Sequence, residues 1–310
     1  MTSANVDGIL LLDKPAGITS NAALQAAKRL VGARKAGHGG TLDPLATGLL
    51  TIAFGEATKF SGVLLEAAKT YAAEVRLGVT TATGDAEGPV IEERPVAVDE
   101  AEVRDVLARF VGGYEQLPPA FSALKHRGRP LYRYARAGQE APRVARRVEI
   151  STVTLDGLAC DRLWITVTCG KGTYIRSLAE DIGAGLGCGA HLAGLRRLAS
   201  GAFRLAEAVS LPVLEAEMQD ARRARLLAPE APLSPLPALV VAPEVAVRLQ
   251  QGQRVDAAPG VPVGLVRIYV GSIPPRFVGL AETTAAGELL PRRLIAAEPG
   301  RGLPVPRLAH

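Results

Sequence analysis

One aspartate in the sequence has a setting that can present it to a substrate. Asp43 lies within the run Gly37-His38-Gly39-Gly40-Thr41-Leu42-Asp43-Pro44-Leu45-Ala46-Thr47-Gly48. The glycines let the backbone approach a ligand closely, and Pro44 disfavours helical dihedral angles at Asp43. The pattern therefore predicts a carboxylate on a stiff, extended loop between a helix and a strand. An Asx-Pro turn without any chemical role has the same residues, and the pattern by itself favours that interpretation.

A second stretch with chemical potential is Cys169-Gly170-Lys171-Gly172-Thr173-Tyr174-Ile175-Arg176. It predicts a strand that passes through a glycine loop into a helix, where Lys171 and backbone N–H groups can hold a phosphate. A P-loop needs a glycine five residues before the Gly-Lys pair, but Ile165 stands there, which excludes a nucleotide kinase. Arg176 is placed to pair either with a carboxylate across the loop or with Glu180 on the surface. This segment leaves both pairings open.

Two further patterns resemble known sites but fail on their context. The run Gly185-x-Gly187-x-x-Ala190 follows a predicted helix, whereas a dinucleotide fingerprint must follow a strand. The cysteines Cys160, Cys169 and Cys188 have irregular spacings that suit neither a disulfide framework nor, with His191, a zinc site. We therefore predict neither a dinucleotide site nor a metal site.

The composition is typical of a folded globular protein. The chain has 310 residues, 48% hydrophobic and 22% charged, which favours about two domains and excludes a disordered or fibrous protein. No apolar run approaches the roughly 18 residues of a membrane span, and no basic flank precedes the short apolar run 9–12. We expect no membrane segment, no signal peptide and a cytoplasmic location.

Positive charge is concentrated in one segment. The net charge is +5, but residues 125–147 alone carry +7, since Glu140 is their one acid. Their eight cations are Lys125, Arg127, Arg129, Arg133, Arg136, Arg143, Arg146 and Arg147. Two tyrosines and a histidine interleave them, which is typical of a surface that meets phosphates and stacks on bases. A merely solvated face is the alternative.

The elements that must position these residues alternate irregularly. Strands are predicted at Gly8–Asp13, Leu49–Phe54, Tyr71–Leu77, Arg147–Asp156 and Leu163–Cys169. Helices are predicted at Ser20–Val31, after an Asp99-x-x-Glu102 capping box, and at Thr173–Ile182. We take Ser20 as the cap of the first helix. The pattern favours an α+β fold in which helices flank a mixed, largely antiparallel central sheet that carries the basic segment as an insertion.

A change in texture predicts a second domain. Four prolines crowd residues 229–237, the composition of a stiff linker between a main domain, 1–228, and a smaller C-terminal region. A short helix near Glu244–Gln251 and β-runs at Gly264–Val270, Phe277–Ala281 and Arg293–Ala296 predict a small β-barrel-like domain over 238–297. Residues 298–310 are expected to form a loose tail.

From about Gly8 to Ala208 the sequence resembles the TruB family of tRNA pseudouridine synthases, of the bacterial stand-alone type. The matching runs are Asp13-Lys14-Pro15, the whole Gly37–Gly48 block, Gly55-Glu56-Ala57-Thr58-Lys59, Lys69-Thr70-Tyr71, Pro118-Pro119-x-x-Ser122-Ala123-Leu124-Lys125, the Gly170–Arg176 block and Cys188-Gly189-Ala190-His191-Leu192-x-x-Leu195-Arg196-Arg197. The C-terminal part resembles the PUA-type RNA-binding domain of that family through Gly252-Gln253-Arg254-Val255 and Phe277-Val278-Gly279. Gly39 and Thr51 depart from the family, which often carries Thr and Pro there.

The resemblance implies that uridine 55 in the T-loop of tRNA is isomerised to pseudouridine without a metal or cofactor. Asp43 is then the nucleophile or ion stabiliser, and attack at C6 of the base or at C1′ of the ribose stays open. Arg176 resembles the buried salt-bridge partner of that aspartate. Tyr71 resembles the aromatic that stacks on the base and assists removal of the C5 proton. His38 resembles the residue that meets the flipped nucleotide, and Leu195 a wall of the pocket.

The resemblance also implies how RNA is held. The basic segment, about residues 120–148, matches the thumb loop of the family, which closes on an RNA stem-loop. The expected RNA-binding residues are Lys14, Lys125, Arg127, Arg129, Arg143, Arg146, Arg147, Lys171 and Tyr174. The thumb argues against guide-RNA-dependent relatives, so we expect a monomer without an obligatory protein partner. A non-catalytic RNA-binding or tRNA-folding protein is the alternative, but it does not require Asp43, Tyr71 and Arg176 together.

Overall fold

Strands and helices alternate irregularly along the chain. The structure, a computed structural model, describes residues 6–271 and 274–296. The first part contains β1 (Gly8–Lys14), α1 (Ser20–Val31), β2 (Ala36–His38), β3 (Thr47–Phe54), α2 (Ser61–Glu66), β4 (Lys69–Leu77), β5 (Val79–Thr81), β6 (Val90–Glu93), α3 (Glu100–Ala108) and β7 (Gly112–Gln116). The middle part contains β8 (Lys125–His126), β9 (Arg129–Pro130), α4 (Leu131–Arg136), β10 (Arg146–Ala159), β11 (Arg162–Cys169), α5 (Ile175–Gly185), β12 (Ala190–Ser200), β13 (Phe203–Arg204), β14 (Val209–Ser210), α6 (Leu211–Ala216) and α7 (Gln219–Ala224). The last part contains β15 (Ala238–Val241), α8 (Pro243–Gln250), β16 (Val255–Asp256), β17 (Gly264–Val270), β18 (Arg276–Thr283) and β19 (Glu288–Leu294).

A ten-stranded sheet organises the larger part of the described chain. Its strands follow the order β14-β1-β3-β12-β4-β11-β10-β7, with β2 beside β3 and β13 beside β12. The pairs β1–β14 and β3–β12 are parallel, and the other described pairs of this sheet are antiparallel. The predicted α+β fold with a mixed, largely antiparallel sheet is confirmed. None of the helices in the described ranges is both long and apolar enough to span a bilayer.

Apolar periodicity explains how α3, α5 and β4 meet. Tyr71 and Ala73 share a face of β4 with Val75 and Leu77, as the alternation predicts, and this face packs against a core that includes α3 and α5.

The predicted capping box starts α3, since the Asp99 side chain accepts from the Glu102 backbone N–H at 2.9 Å.

The start of α1 differs from the prediction. Thr19, not Ser20, is the cap: its backbone is extended and its Oγ1 accepts from the N–H of Ala22 at 3.1 Å. Ser20 is buried and bonds a distant loop instead. Gly32 ends the helix in the left-handed conformation, as its position predicts.

The C-terminal strands form a separate five-stranded sheet in the order β15-β17-β18-β19-β16, with α8 packed on it. Rather than acting as a stiff spacer, residues 229–237 contain a 3-10 turn in which Leu233 is fully buried against Phe60, Phe277 and Leu280. Apolar burial therefore joins this segment to both parts of the chain. The predicted tail, 298–310, lies outside the described residues.

Candidate active site

The loop between β2 and β3 holds Asp43 beside the parallel β3–β12 pair. The Ser20 hydroxyl accepts from the N–H of Leu42 at 2.7 Å and donates to the carbonyl of Leu42 at 2.9 Å. The N–H of Gly17 donates to the carbonyl of Pro44 at 2.9 Å. Since both neighbours of Asp43 are tied to other elements, its carboxylate has a defined position. The predicted stiff loop is present.

Lys14 supports this loop from beneath. Its side chain is fully buried, and its ammonium donates to the carbonyls of Pro15 at 2.8 Å, Ile18 at 2.7 Å and Pro44 at 3.4 Å. Burial lowers the pKa of Lys14 to about 8. The prediction that Lys14 binds RNA is wrong for this structure, because its ammonium is enclosed by backbone carbonyls and has no exposed surface.

Two further buried cations, not singled out from the sequence, surround the same loop. Arg197 is 1% exposed and donates to the carbonyls of Leu49 at 2.6 Å and Gly40 at 3.1 Å. Lys69 donates to three carbonyls of the 64–67 segment, and burial lowers its pKa to about 8. Neither forms an ion pair within the described ranges. The floor of the site is therefore positively charged.

Arg176, near the start of α5, lies between two carboxylates. Its Nε is 3.0 Å from Oδ2 of Asp43 and 3.6 Å from Oδ2 of Asp85. Its Nη1 donates to the carbonyl of Thr83 at 3.0 Å and its Nη2 to that of Phe121 at 2.8 Å. These contacts favour the pairing across the loop over the alternative surface pair within the helix.

The two carboxylates differ in exposure. The Asp43 side chain is 43% exposed, whereas those of Arg176 and Asp85 are 5% and 6% exposed. The expectation of a buried salt bridge is therefore wrong for the Asp43 half, which opens to solvent because the loop runs along the surface. Arg176 thus holds the accessible carboxylate of Asp43, while the buried carboxylate of Asp85 balances the positive charge of Arg176.

Sequence reasoning missed Asp85. Its Oδ1 accepts from the hydroxyl of Thr83 at 2.5 Å and from the N–H of Glu87 at 3.1 Å, so a tight turn after β5 fixes this carboxylate. The signal available was an aspartate within the Gly- and Thr-rich run 80–88. That signal does not show that the turn faces Arg176.

Tyr71, Leu195 and His38 lie on strands next to the Asp43 loop. Tyr71 of β4 is opposite Arg197 of β12, and Leu195 packs on the same apolar core as Tyr71. Burial raises the pKa of Tyr71, an effect that Arg197 opposes. Burial and Arg197 both lower the pKa of His38, which keeps its ring neutral near pH 7. The site thus offers a carboxylate, a neutral phenol and a neutral imidazole.

The basic insertion leaves the sheet between paired residues. Gln116 at the end of β7 lies opposite Arg146 at the start of β10, so the insertion comprises residues 117–145, which we call the thumb. Arg146 and Arg147 belong to the sheet rather than to the insertion, so the predicted bounds 120–148 begin three residues too late and end three residues too late. The exposed RNA-binding candidates are Lys125, Arg127, Arg129, Arg143 and Arg147.

The remaining candidates lie at the glycine loop before α5. Lys171 is exposed, and its ammonium lies 2.5 Å from Oε2 of Glu66. The ring of Tyr174 lies under the guanidinium of Arg146, 5.1 Å from its Cζ. The structure thus brings Tyr174 next to the thumb, whereas Lys171 already has a carboxylate partner.

The two departures from the family pattern are neighbours in space. A Cβ added at Gly39 would overlap Oγ1 of Thr51 and lie 2.6 Å from Cβ of Leu64. A side chain at position 39 is therefore incompatible with Thr51 in this packing, which accounts for the glycine.

Family models match most of the chain. The N-terminal domain of the TruB family of pseudouridylate synthases matches residues 28–175. The C-terminal domain of tRNA pseudouridylate synthase B matches residues 176–240, and the C-terminal model of pseudouridine synthase II TruB matches residues 237–295.

Individual proteins are similar over nearly their full length. The tRNA pseudouridine synthase B of Thiobacillus denitrificans is 55% identical, covering 94% of this chain and 96% of the relative. That of Burkholderia mallei is 52% identical, covering 95% and 99%. A crystal structure of a Cbf5-Nop10-Gar1 complex contains a chain that is 27% identical with a TM-score of 0.67, covering 89% of this chain and 78% of that one. This chain belongs to the TruB family of pseudouridine synthases.

Proposed function

We propose that this protein isomerises uridine 55 in the T-loop of tRNA to pseudouridine, with Asp43 as the group that acts on the nucleotide. The observation that carries the proposal is the position of the Asp43 carboxylate. It is half-exposed, it lies on a loop that is bonded to α1 and β1, and it is 3.0 Å from the buried guanidinium of Arg176. Similarity to tRNA pseudouridine synthases B at 52–55% identity supports tRNA as the substrate.

The reaction conserves every atom of the uridine. The N1–C1′ bond breaks, the base rotates, a C5–C1′ bond forms, and C5 loses a proton while N1 gains one. Asp43 attacks C6 or C1′, or stabilises the sugar cation, and the guanidinium of Arg176, 3.0 Å from Oδ2, holds the carboxylate in place for that role. The raised pKa of Tyr71 keeps its phenol neutral, which suits stacking on the extracted base. A neutral phenol is too weak a base to take the C5 proton, so Tyr71 assists that step only as the phenolate.

Binding must offset the cost of extracting the base. Unstacking a nucleotide costs a few kcal/mol, which phosphate contacts of the thumb cations and stacking in the site compensate. His38, neutral and half-buried on β2, meets the flipped nucleotide, and Leu195 forms an apolar wall for the extracted base.

The roles of the two parts of the chain follow from this arrangement. Residues 1–228, which carry every catalytic candidate, form the catalytic domain, and residues 238–297 form a PUA-like domain that adds RNA affinity. The protein acts in the cytoplasm as a monomer without an obligatory protein partner. Sedimentation of the purified chain tests the monomeric state, and its activity without added proteins tests its independence of a partner.

Mass spectrometry of tRNA digests after uridine-selective derivatisation of pseudouridine tests the function. We expect one pseudouridine, at position 55, in an unmodified tRNA transcript incubated with the chain, and none when that uridine is replaced by cytidine. Modification of another uridine would contradict the site specificity. A protein that binds tRNA without modifying it would instead be an RNA-binding or tRNA-folding module.

A further inference from the structure

The thumb is an insertion between two residues that are paired in the sheet. Gln116 and Arg146 lie opposite each other in β7 and β10, and residues 117–145 leave and rejoin the sheet between them. The six thumb cations therefore connect to the catalytic sheet through this pair. The contacts that Gln116 and Arg146 make with the rest of the site show which residues this pair holds in place.

Both members of the pair hold Tyr174, two residues before Arg176. Gln116 is fully buried; its Nε2 donates to the carbonyl of Tyr174 at 3.0 Å, and its Oε1 accepts from the N–H of Tyr174 at 2.8 Å. Arg146 covers the Tyr174 ring and donates to the carbonyl of Gly172. The backbone and the ring of Tyr174 are thus fixed by the two sheet residues that flank the thumb.

The helix start makes two more contacts with the beginning of the thumb. Nη2 of Arg176 donates to the carbonyl of Phe121 at 2.8 Å, and Oγ of Ser177 donates to the carbonyl of Leu117 at 2.8 Å. The first turn of α5 therefore rests on the 116–121 backbone. A shift of that backbone moves the guanidinium of Arg176.

The pair between Arg176 and Asp43 is sensitive to such a shift. The Nε–Oδ2 distance is 3.0 Å, yet the buried Nε–H of Arg176 is not aligned with an acceptor. Hydrogen bonds weaken steeply with misalignment, and a displacement of about 1 Å in a catalytic site can cost about 10²-fold in rate. The residues that support Arg176 can therefore change its orientation toward Asp43.

We propose that Gln116 is a positioning residue for the isomerisation: its side-chain amide holds Tyr174 so that Arg176 faces Asp43, and Arg146, which follows the thumb, completes this support. The inference rests on the proposed catalytic role of Asp43. Gln116 touches neither substrate nor Asp43, so its effect on rate passes through Arg176. A purely structural role, in which the amide only satisfies two buried backbone groups, is the alternative.

The test compares Gln116→Leu and Arg146→Lys with the wild-type chain. Arg146→Lys keeps the charge that attracts RNA but loses the planar group over Tyr174. We expect the single-turnover rate of pseudouridine formation in a T-arm stem-loop to fall at least about tenfold in each variant. The Kd for that RNA should change by less than about twofold. Gln139→Leu, which replaces an exposed thumb amide, is the matched control and should keep the wild-type rate.

A double-mutant cycle separates positioning from structure. If Gln116 acts through Arg176, Gln116→Leu lowers the rate little further in an Arg176→Lys background, whereas independent structural damage lowers it by the same factor in both backgrounds. A wild-type rate in folded Gln116→Leu, or full additivity in the cycle, would overturn the proposal. If Gln116→Leu does not fold, a wild-type rate in Arg146→Lys overturns it. Absence of pseudouridine with the wild-type chain would refute the proposed function instead.

Discussion

Replacing Asp43 by asparagine separates catalysis from binding and stability at one position. The substitution preserves side-chain size and the extended loop but removes the charge 3.0 Å from Nε of Arg176. A nucleophilic or ion-stabilising carboxylate cannot be replaced by an amide. We therefore expect turnover to fall by more than about 10³-fold, which raises the barrier by about 4 kcal/mol.

The effect of Asp43→Asn on stability is small because only one partner of the pair is buried. Solvent screens the contact at the 43% exposed Asp43 side chain. Arg176 also keeps Asp85, with 3.6 Å between their charged atoms, as a counter-ion. We expect the free energy of unfolding to fall by at most about 1 kcal/mol, the range of an exposed pair, rather than the roughly 3–5 kcal/mol of a fully buried one.

RNA binding should survive the same substitution. A carboxylate about 10 Å from one phosphate in water repels it by roughly 0.4 kcal/mol, so the Kd should improve or stay within about twofold. Turnover is measured by tritium release from tRNA labelled at C5 of uridine, affinity by filter binding, and stability by urea denaturation. Asp105→Asn, at an exposed position of α3, is the control. Turnover of Asp43→Asn within about tenfold of the wild-type value would refute the assigned role.

Three further predictions concern cations. Arg176→Lys keeps the charge but loses the planar guanidinium that bonds two carbonyls. We therefore expect the single-turnover rate to fall at least about 10²-fold, and an unchanged rate would argue against the role of Arg176. If about four cations of the basic segment contact phosphates, log Kobs for tRNA should fall with log salt at a slope near −3 to −4. Neutralising Arg143, Arg146 and Arg147 should make this slope less steep. An equal slope in the triple variant would mean that these arginines form a solvated face without phosphate contacts. The pKa of Lys69 is about 8 in the fold against 10.5 in the unfolded chain, so between those values the unfolded chain binds more protons and the stability contribution of Lys69 rises with pH. Urea denaturation should show this rise in the wild-type chain relative to Lys69→Met, and parallel pH profiles would contradict it.

The sequence by itself determined the local elements and the candidates for the reacting groups. The capping box of α3, the glycine that ends α1 and the alternation along β4 all arise from neighbours within a few residues, so propensity and spacing suffice to predict them. Asp43 and Arg176 were singled out because each lies in a contiguous motif, and Tyr71 because of the family resemblance. The structure brings Asp43 and Arg176 into direct contact.

The tertiary structure decided the partners and the burial of each charge. Two adjacent hydroxyls, Thr19 and Ser20, compete to cap α1 on local grounds, and the choice follows from the bond of Ser20 to a residue 22 positions away. Lys14 is an RNA contact expected from the family resemblance, yet the carbonyls around it make it an internal support. Asp85 and Gln116 have no local signal for their roles, because their partners in α5 are brought near only when the sheet assembles. Chain folding selects counter-ions and removes water from them, and neither property is encoded in the spacing of neighbouring residues.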